Sequence, residues 1–196
     1  MCGRYYIDDE TAREIKKLVR QIDDRLQREK MGRDVHPTDL APVLKGNGAD
    51  LEAAWQKWGL PGIQNKGVIF NARSETVLEK RMFGEGVRRR RIVVPCTWFY
   101  EWNKNKEKIT FYRNDSPVLF LAGFYNRFED GDRFVILTTE ANESMKSTHD
   151  RMPLILEPKE LEDWVMEDGK TKEILRQKPA LLSKRAEYEQ QTLSFL

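Results

Sequence analysis

The opening stretch "MCGRYY" puts a cysteine at position 2. Removal of the initiating methionine, which a small following side chain permits, leaves Cys2 with a free α-amine beside its thiol. A 1,2-aminothiol attacks an aldehyde in two steps. The amine condenses to a Schiff base with loss of water, and the sulfur then adds to the same carbon and closes a thiazolidine ring. No internal residue offers both groups. An α-amine ordinarily titrates at about 7.7–8.0 and a cysteine thiol at about 8.5, so both are partly reactive near neutrality.

Three further stretches place a polar or ionisable residue at a strand end or turn: "FNARSET", "PCTWFYEW" and "STHDRMPLIL". Active sites are built from such loops on a rigid scaffold. Asn71 can hold an amine by accepting and donating hydrogen bonds. Glu101, set among Phe99, Tyr100 and Trp102, is a carboxylate that an apolar setting equips to accept and return protons. His149 is an imidazole, the side chain that exchanges a proton near neutrality, and can protonate a sugar ring oxygen as an aldehyde opens. Each residue also has a plain structural role open to it. Cys2 can be a small apolar side chain in a docked strand. Asn71 can cap a helix. Glu101 can face solvent from a strand that turns Trp98, Tyr100 and Trp102 inward. His149 can bond a backbone carbonyl. What those roles leave unaccounted for is the four occurring together.

These residues need elements to hold them. The stretch "DDETAREIKKLVRQIDDRLQREK" reads as an amphipathic helix, with Ile15, Leu18, Ile22 and Leu26 on one face and Asp8 or Asp9 as its cap. "APVL" is a strand leading to the turn "GNG", and "LEAAWQKWGLPG" is a strand ending at Pro61. "GVIF" is a strand running into a helix over "ETVLEKRMF". "RRIVVPCTWFYEW" reads as a buried strand interrupted at Pro95. "KITFYRND" and "PVLFLAGFYNRF" predict a hairpin around "NDSP". "RFVILTTEAN" is a core strand followed by a short helix "NESMKST", then a strand "MPLILEP". "PKELEDWVME" is a helix with Pro158 in its first turn. Trp58 is read as core. Strands dominate the middle and helices lie outside them. The fold class is therefore α+β, a single domain over 1–196 with a curled or barrel-like, mainly antiparallel sheet and peripheral helices.

Composition sets the outer limits. The chain has 196 residues, 39% hydrophobic and 34% charged, an ordinary globular balance. No apolar run approaches the roughly 20 residues needed to span a bilayer. No signal-peptide core stands at the start, so a cytoplasmic protein without membrane contact is expected. Cys2 and Cys96 could pair, but a reducing cytosol opposes it. With His36 and His149 they show no metal-ligand spacing, so neither a metal nor another cofactor is expected. The net charge of +2 permits nucleic-acid binding without requiring it. Arg88 to Arg91 read as a solvated run. Arg4, Arg73, Arg81 and Arg151 stand beside the motifs.

The ordered blocks "MCGR", "NAR" followed by "ET", "RMF", "WFYEW" and "HDRMP" resemble the signature of the SOS response-associated peptidase (SRAP) family, the abasic-site processing proteins, most clearly over residues 1–158. The resemblance implies a sensor of abasic sites in single-stranded DNA, working as a monomer. It implies that Cys2 forms the thiazolidine with the opened deoxyribose, and that Asn71, Glu101 and His149 complete the catalytic set. Arg4, Arg73, Arg81 and Arg151 match the family's phosphate-binding arginines, which grip without reading bases. A lyase reaction through the Schiff base and an autoproteolytic peptidase activity come with the family. The chain departs from the pattern at "WGLPGIQNKG", where Ile63 and Gln64 replace a tandem aromatic pair. It departs again at the C-terminus, where no closing strand is expected. Two other functions remain open: a peptidase or amidohydrolase with Cys2 as nucleophile, and a non-enzymatic binder of single-stranded nucleic acid.

Overall fold

The computed structural model describes residues 2–19, 31–62, 64 and 66–187. Its strands in chain order are β1 Tyr5–Ile7, β2 Arg33–Val35, β3 Leu40–Asn47, β4 Asp50–Trp58, β5 Leu60–Pro61, β6 Val68–Ile69, β7 Asn71–Arg73 and β8 Arg91–Cys96. They continue with β9 Trp98–Trp102, β10 Lys108–Tyr112, β11 Leu119–Phe128, β12 Gly131–Glu140, β13 Arg151–Pro153, β14 Ile155–Leu156 and β15 Ser183–Glu187. The described helices are α1 Asp9–Leu18, α2 Gly84–Arg89, α3 Leu161–Met166 and α4 Thr171–Ile174. The α+β expectation holds: the sheets are mostly antiparallel and the helices short and peripheral.

Two sheets divide the strands. The smaller has the order β15–β10–β9–β1–β2. In the larger, β12 pairs in parallel with the end of β4 and antiparallel with β11, and β4–β3–β8–β11 completes the circuit. The result is a closed five-stranded barrel, which leaves those strands few open edges. β7 and β13 attach to β12 beyond the barrel, in parallel at Ile136–Thr138 and antiparallel at Thr138–Glu140.

Trp58 lies in the core as expected. It is fully buried, with its ring centroid 5.0 Å from that of Tyr5 and 6.2 Å from that of Phe134. Its indole N–H donates to the Phe70 carbonyl at 2.9 Å, the polar satisfaction a buried Trp requires. One side chain therefore ties β1, β4, β12 and the approach to β7. At the "GNG" turn, Gly48 has φ +63° and closes the β3–β4 hairpin between Asn47 and Asp50, a backbone conformation that glycine adopts without strain.

Several local expectations give way to tertiary contacts. α1 is capped by Asp8, whose carboxylate accepts from the amides of Glu10 and Thr11 at 3.0 Å each. It ends at Leu18, and the expected extension through Ile22 and Leu26 lies outside the described residues. "ETVLEKRMF" is not a helix. Its amides close three-residue turns, such as Glu79 N–H to Thr76 O at 3.1 Å, and the helix starts only at Gly84. The start of that segment is committed elsewhere, with Ser74 just before it bonded to β12 and Val77 in the core. "NESMKST" likewise forms successive turns. The aromatic strand breaks at Thr97 rather than Pro95, which sits within β8 opposite Phe120.

The "NDSP" hairpin is not formed either. β10 pairs with β9 and β15 in the small sheet, while β11 belongs to the barrel. Arg113 holds the link between them by pairing with both Asp115 and Glu157 at 2.6 Å. The C-terminal strand missed in the sequence is β15, a polar edge strand whose Ala186 packs on the core while Lys184 and Arg185 stay exposed. Charged edges of this kind block unwanted pairing and carry little strand signal.

Candidate active site

Residue 2 is buried because β1 is an internal strand. Tyr5 and Tyr6 pair with Phe99 and Trp98 of β9 on one side, and with Val35 and Asp34 of β2 on the other. The amides of Thr97 and Tyr100 donate to the carbonyls of Tyr6 and Arg4 at 2.9 and 3.0 Å. So fixed, the chain start carries Cys2 into the core, where it is 1% exposed. Its thiol points back to the Arg4 carbonyl at 3.8 Å.

Two of the three expected partners reach it. Asn71, at the head of β7, donates its side-chain N–H to the Cys2 carbonyl at 2.8 Å. Its Oδ1 is buried and has no hydrogen-bond partner among the described residues. Glu101 is 4% exposed, so the solvent-facing alternative fails. β9 turns Phe99 and Glu101 inward, while Trp102 is 40% exposed. Tyr100, on the opposite face from Glu101, is covered by Arg4 and Lys108, whose charged groups lie 5.2 and 4.0 Å from its ring centroid. Burial pushes the Cys2 thiol well above its ordinary value, and the negative charge of Glu101 raises it further. Cys2 is therefore a neutral thiol with a buried carboxylate acting on it. Cys96, also a free and buried thiol, is raised well above its ordinary value chiefly by burial.

The third partner belongs to a second cluster, on β12 and β13. The Arg151 amide donates to His149 Nδ1 at 2.9 Å, which favours the neutral ring with its proton on Nε2. The exposed Asp150 carboxylate lies 2.8 Å from the same nitrogen and can bond it only when that nitrogen carries a proton, in the neutral Nδ1–H tautomer or the charged ring. The Arg151 side chain is 12% exposed and grips Glu75 through both guanidinium ends, at 2.7 and 2.8 Å. It also donates to the Thr138 carbonyl at 2.7 Å. That carbonyl accepts from the Ser74 amide at 2.8 Å as well.

The four motif-adjacent arginines fall into two groups. Arg4 is paired with Asp34. Asp34 is pulled by burial toward the neutral form, but its hydrogen bonds from Arg4 and Tyr100 outweigh that and hold it below the usual carboxylate range. Arg151 is paired with Glu75. Arg73 and Arg81 are exposed. The "RRRR" run is solvated only in its first half: Arg88 and Arg89 are exposed, and the other two are not. Arg91 is 4% exposed and donates to the carbonyls of Trp164, Val87 and Arg88, with Asp168 at 2.8 Å as its counterion. Arg90 bonds Glu85, Asn126 and the Tyr125 carbonyl. Sequence reading missed Asp34 and Glu75, the counterions of two site arginines, although Glu75 lies inside the quoted "FNARSET". It also missed Tyr5, whose fully buried hydroxyl is pushed well above its ordinary value, first of all by burial. Ile63 lies outside the described residues.

The model of the family described as "SOS response associated peptidase (SRAP)" matches residues 1–194. This chain belongs to the SRAP family. The match runs well past residue 158 and takes in β15, so the C-terminal segment is part of the family pattern. The chain is 30% identical to the abasic site processing protein YoaM of Bacillus subtilis over 146 residues, covering 67% of this chain and 64% of YoaM, under two thirds of that relative. It is 28% identical to the abasic site processing protein YedK of Escherichia coli over 185 residues, covering 88% and 83% of the two chains. The fold matches a crystal structure of a protein from Bacteroides thetaiotaomicron with a TM-score of 0.79 at 22% identity, covering 94% of this chain and 91% of that one.

The electrostatic link between Glu101 and Cys2 is open to measurement. In protein labelled with 13C at cysteine Cβ, the Cys2 signal should show no ionisation through the ordinary thiol range near about 8.5. Glu101→Gln removes a negative charge and should move the transition to lower pH. An unchanged transition in that variant would show that the carboxylate does not act on the thiol. The sign for stability follows. Both thiols have folded values above their unfolded ones, so their contribution is intact below about pH 8.5. It is lost as pH rises through the folded values, by about 1.4 kcal/mol per pH unit for each thiol.

Proposed function

We propose that this chain recognises abasic sites in single-stranded DNA and, once Met1 is removed, forms a covalent thiazolidine cross-link to them through Cys2. The observation that carries the reading is the convergence on residue 2, with Asn71 bonded to its carbonyl at 2.8 Å and Glu101 acting on its thiol. The free Oδ1 of Asn71 is an acceptor suited to a new α-amine at Cys2. Ring opening of the deoxyribose breaks the bond between C1′ and the ring oxygen. His149 assists by donating a hydrogen bond from Nε2–H to that oxygen, which takes the proton that the anomeric hydroxyl gives up as the aldehyde forms. The Cys2 amine adds to C1′ and water leaves, giving the Schiff base. The sulfur then adds to C1′, and the thiol proton passes through Glu101 to the nitrogen.

The neutral thiol sets the order of events. A cysteine hydrolase needs a thiolate as its first nucleophile, and burial beside a carboxylate opposes one here. An amine attacking first needs no thiolate, and ring closure is then intramolecular. From the same Schiff base, loss of a C2′ proton with departure of the 3′-phosphate gives strand cleavage, which is the lyase branch of the reaction.

The test is to mix the protein with single-stranded DNA carrying one abasic site and to compare it with intact DNA. A DNA–protein band that survives heating in detergent is expected with abasic DNA alone. Cys2→Ala should abolish it and leave only a Schiff base that borohydride traps. An equally stable band from Cys2→Ala contradicts the proposal, and equal retention of intact DNA with no covalent band points to a simple binder.

The arginine groups should separate in salt titrations of binding. The slope of log K against log salt falls by about 0.7 for each phosphate of a single strand that the protein no longer neutralises. Arg73→Ala and Arg81→Ala are each expected to show that fall. Arg4→Ala and Arg151→Ala should show less, because Asp34 and Glu75 already match their charges. Equal falls across all four variants would show that those ion pairs open on binding.

A further inference from the structure

Glu75 has no part in the chemistry above, yet it joins the two halves of the site. It lies four residues beyond Asn71, on the turn that follows β7. Its carboxylate holds Arg151 on β13 through two bonds of 2.7 and 2.8 Å. β7 and β13 pair with β12 by opposite bonding patterns that overlap at Thr138. The Thr138 carbonyl receives the Ser74 amide from one side and the Arg151 guanidinium from the other. Glu75 closes that three-membered arrangement. Burial acts to raise its carboxyl, but the Arg151 bonds outweigh this and keep it below the usual range. A bidentate pair of this kind fixes geometry as well as charge.

The consequence falls on His149. The backbone N–H that bonds His149 Nδ1 belongs to Arg151, the same residue whose side chain Glu75 anchors. Asp150, 83% exposed in its side chain, competes for that nitrogen by favouring a proton on Nδ1. The partner of one ring nitrogen decides which nitrogen carries the proton. We propose that Glu75 is a positioning residue: by anchoring Arg151 it holds the Arg151 amide on His149 Nδ1 and so keeps the neutral imidazole as the Nε2–H tautomer, with Nε2–H as its hydrogen-bond donor. The placement of the tautomer stands on the free protein. Its effect on cross-linking rests on the function proposed above.

The experiment has two readouts on the full chain. The first is 15N NMR of the His149 ring in alkaline buffer without DNA. The second is the single-turnover cross-linking rate with abasic single-stranded DNA, with binding measured separately. The wild type should show one tautomer, protonated at Nε2. Glu75→Gln should show a mixture of tautomers and slow cross-linking on the order of 10-fold to 10²-fold, the scale of a misplaced catalytic group, with binding not weakened. Glu75→Asp keeps the carboxylate and should recover part of both signals. It carries the test if Glu75→Gln does not fold. A single Nε2–H tautomer in Glu75→Gln, or in Glu75→Asp should only that variant fold, with a cross-linking rate equal to wild type, overturns the proposal. A tautomer mixture with an unchanged cross-linking rate leaves Glu75 as a positioning residue and instead overturns the hydrogen-bond role given to His149 in ring opening.

Discussion

The structure depends on pairing its first strand on both sides. A chain end is ordinarily the most weakly held part of a domain. Here β1 lies between β9 and β2, and Tyr5 beneath it packs on Trp58 at the centre of the core. That placement turns residue 2 from an exposed end into a buried, oriented group. It also brings Glu101 to the thiol, because β9 is the direct neighbour of β1 and turns alternate side chains inward. The Asn71 contact follows from β7 lying beside β12. A reactive N-terminus is only as well placed as the strand behind it, and this one is placed by a sheet and a barrel together.

Burial has a chemical consequence as well as a geometric one. Desolvation disfavours the charged form of any acid, and the carboxylate adds to that effect on Cys2. The site is built around a neutral sulfur held beside a base. The surrounding cations are divided to match. Arg4 and Arg151 are neutralised by Asp34 and Glu75 and spend their bonds on holding the site together, while Arg73 and Arg81 stand exposed.

Much of this was legible in the sequence. The α+β class and the strand-rich middle follow from pattern, and polar residues beside β-branched runs marked out Asn71 and Glu101, which the fold brings to Cys2, and His149, which it places in a second cluster. What failed were the segments whose local preference was overruled. The helical pattern of "ETVLEKRMF" yielded to the anchoring of Ser74 on β12 and Val77 in the core. The "NDSP" hairpin yielded to two strands that belong to different sheets. The polar strand β15 has no hydrophobic alternation to show, since one of its faces and its outer edge meet solvent. The ion-pair partners Asp34 and Glu75 were invisible because each lies tens of residues from its arginine, and spacing carries no record of contacts made through folding.

If a buried neutral thiol makes the amine attack first, the two adducts must appear in order. A rapid-quench time course with abasic single-stranded DNA resolves them, each sample being divided between quenching with and without borohydride. A borohydride-dependent adduct is expected to form first, and the adduct stable without borohydride to appear after a lag as the first declines. A stable adduct that forms without a lag and without a preceding trappable species would contradict this order, because the sulfur would then have attacked before the amine.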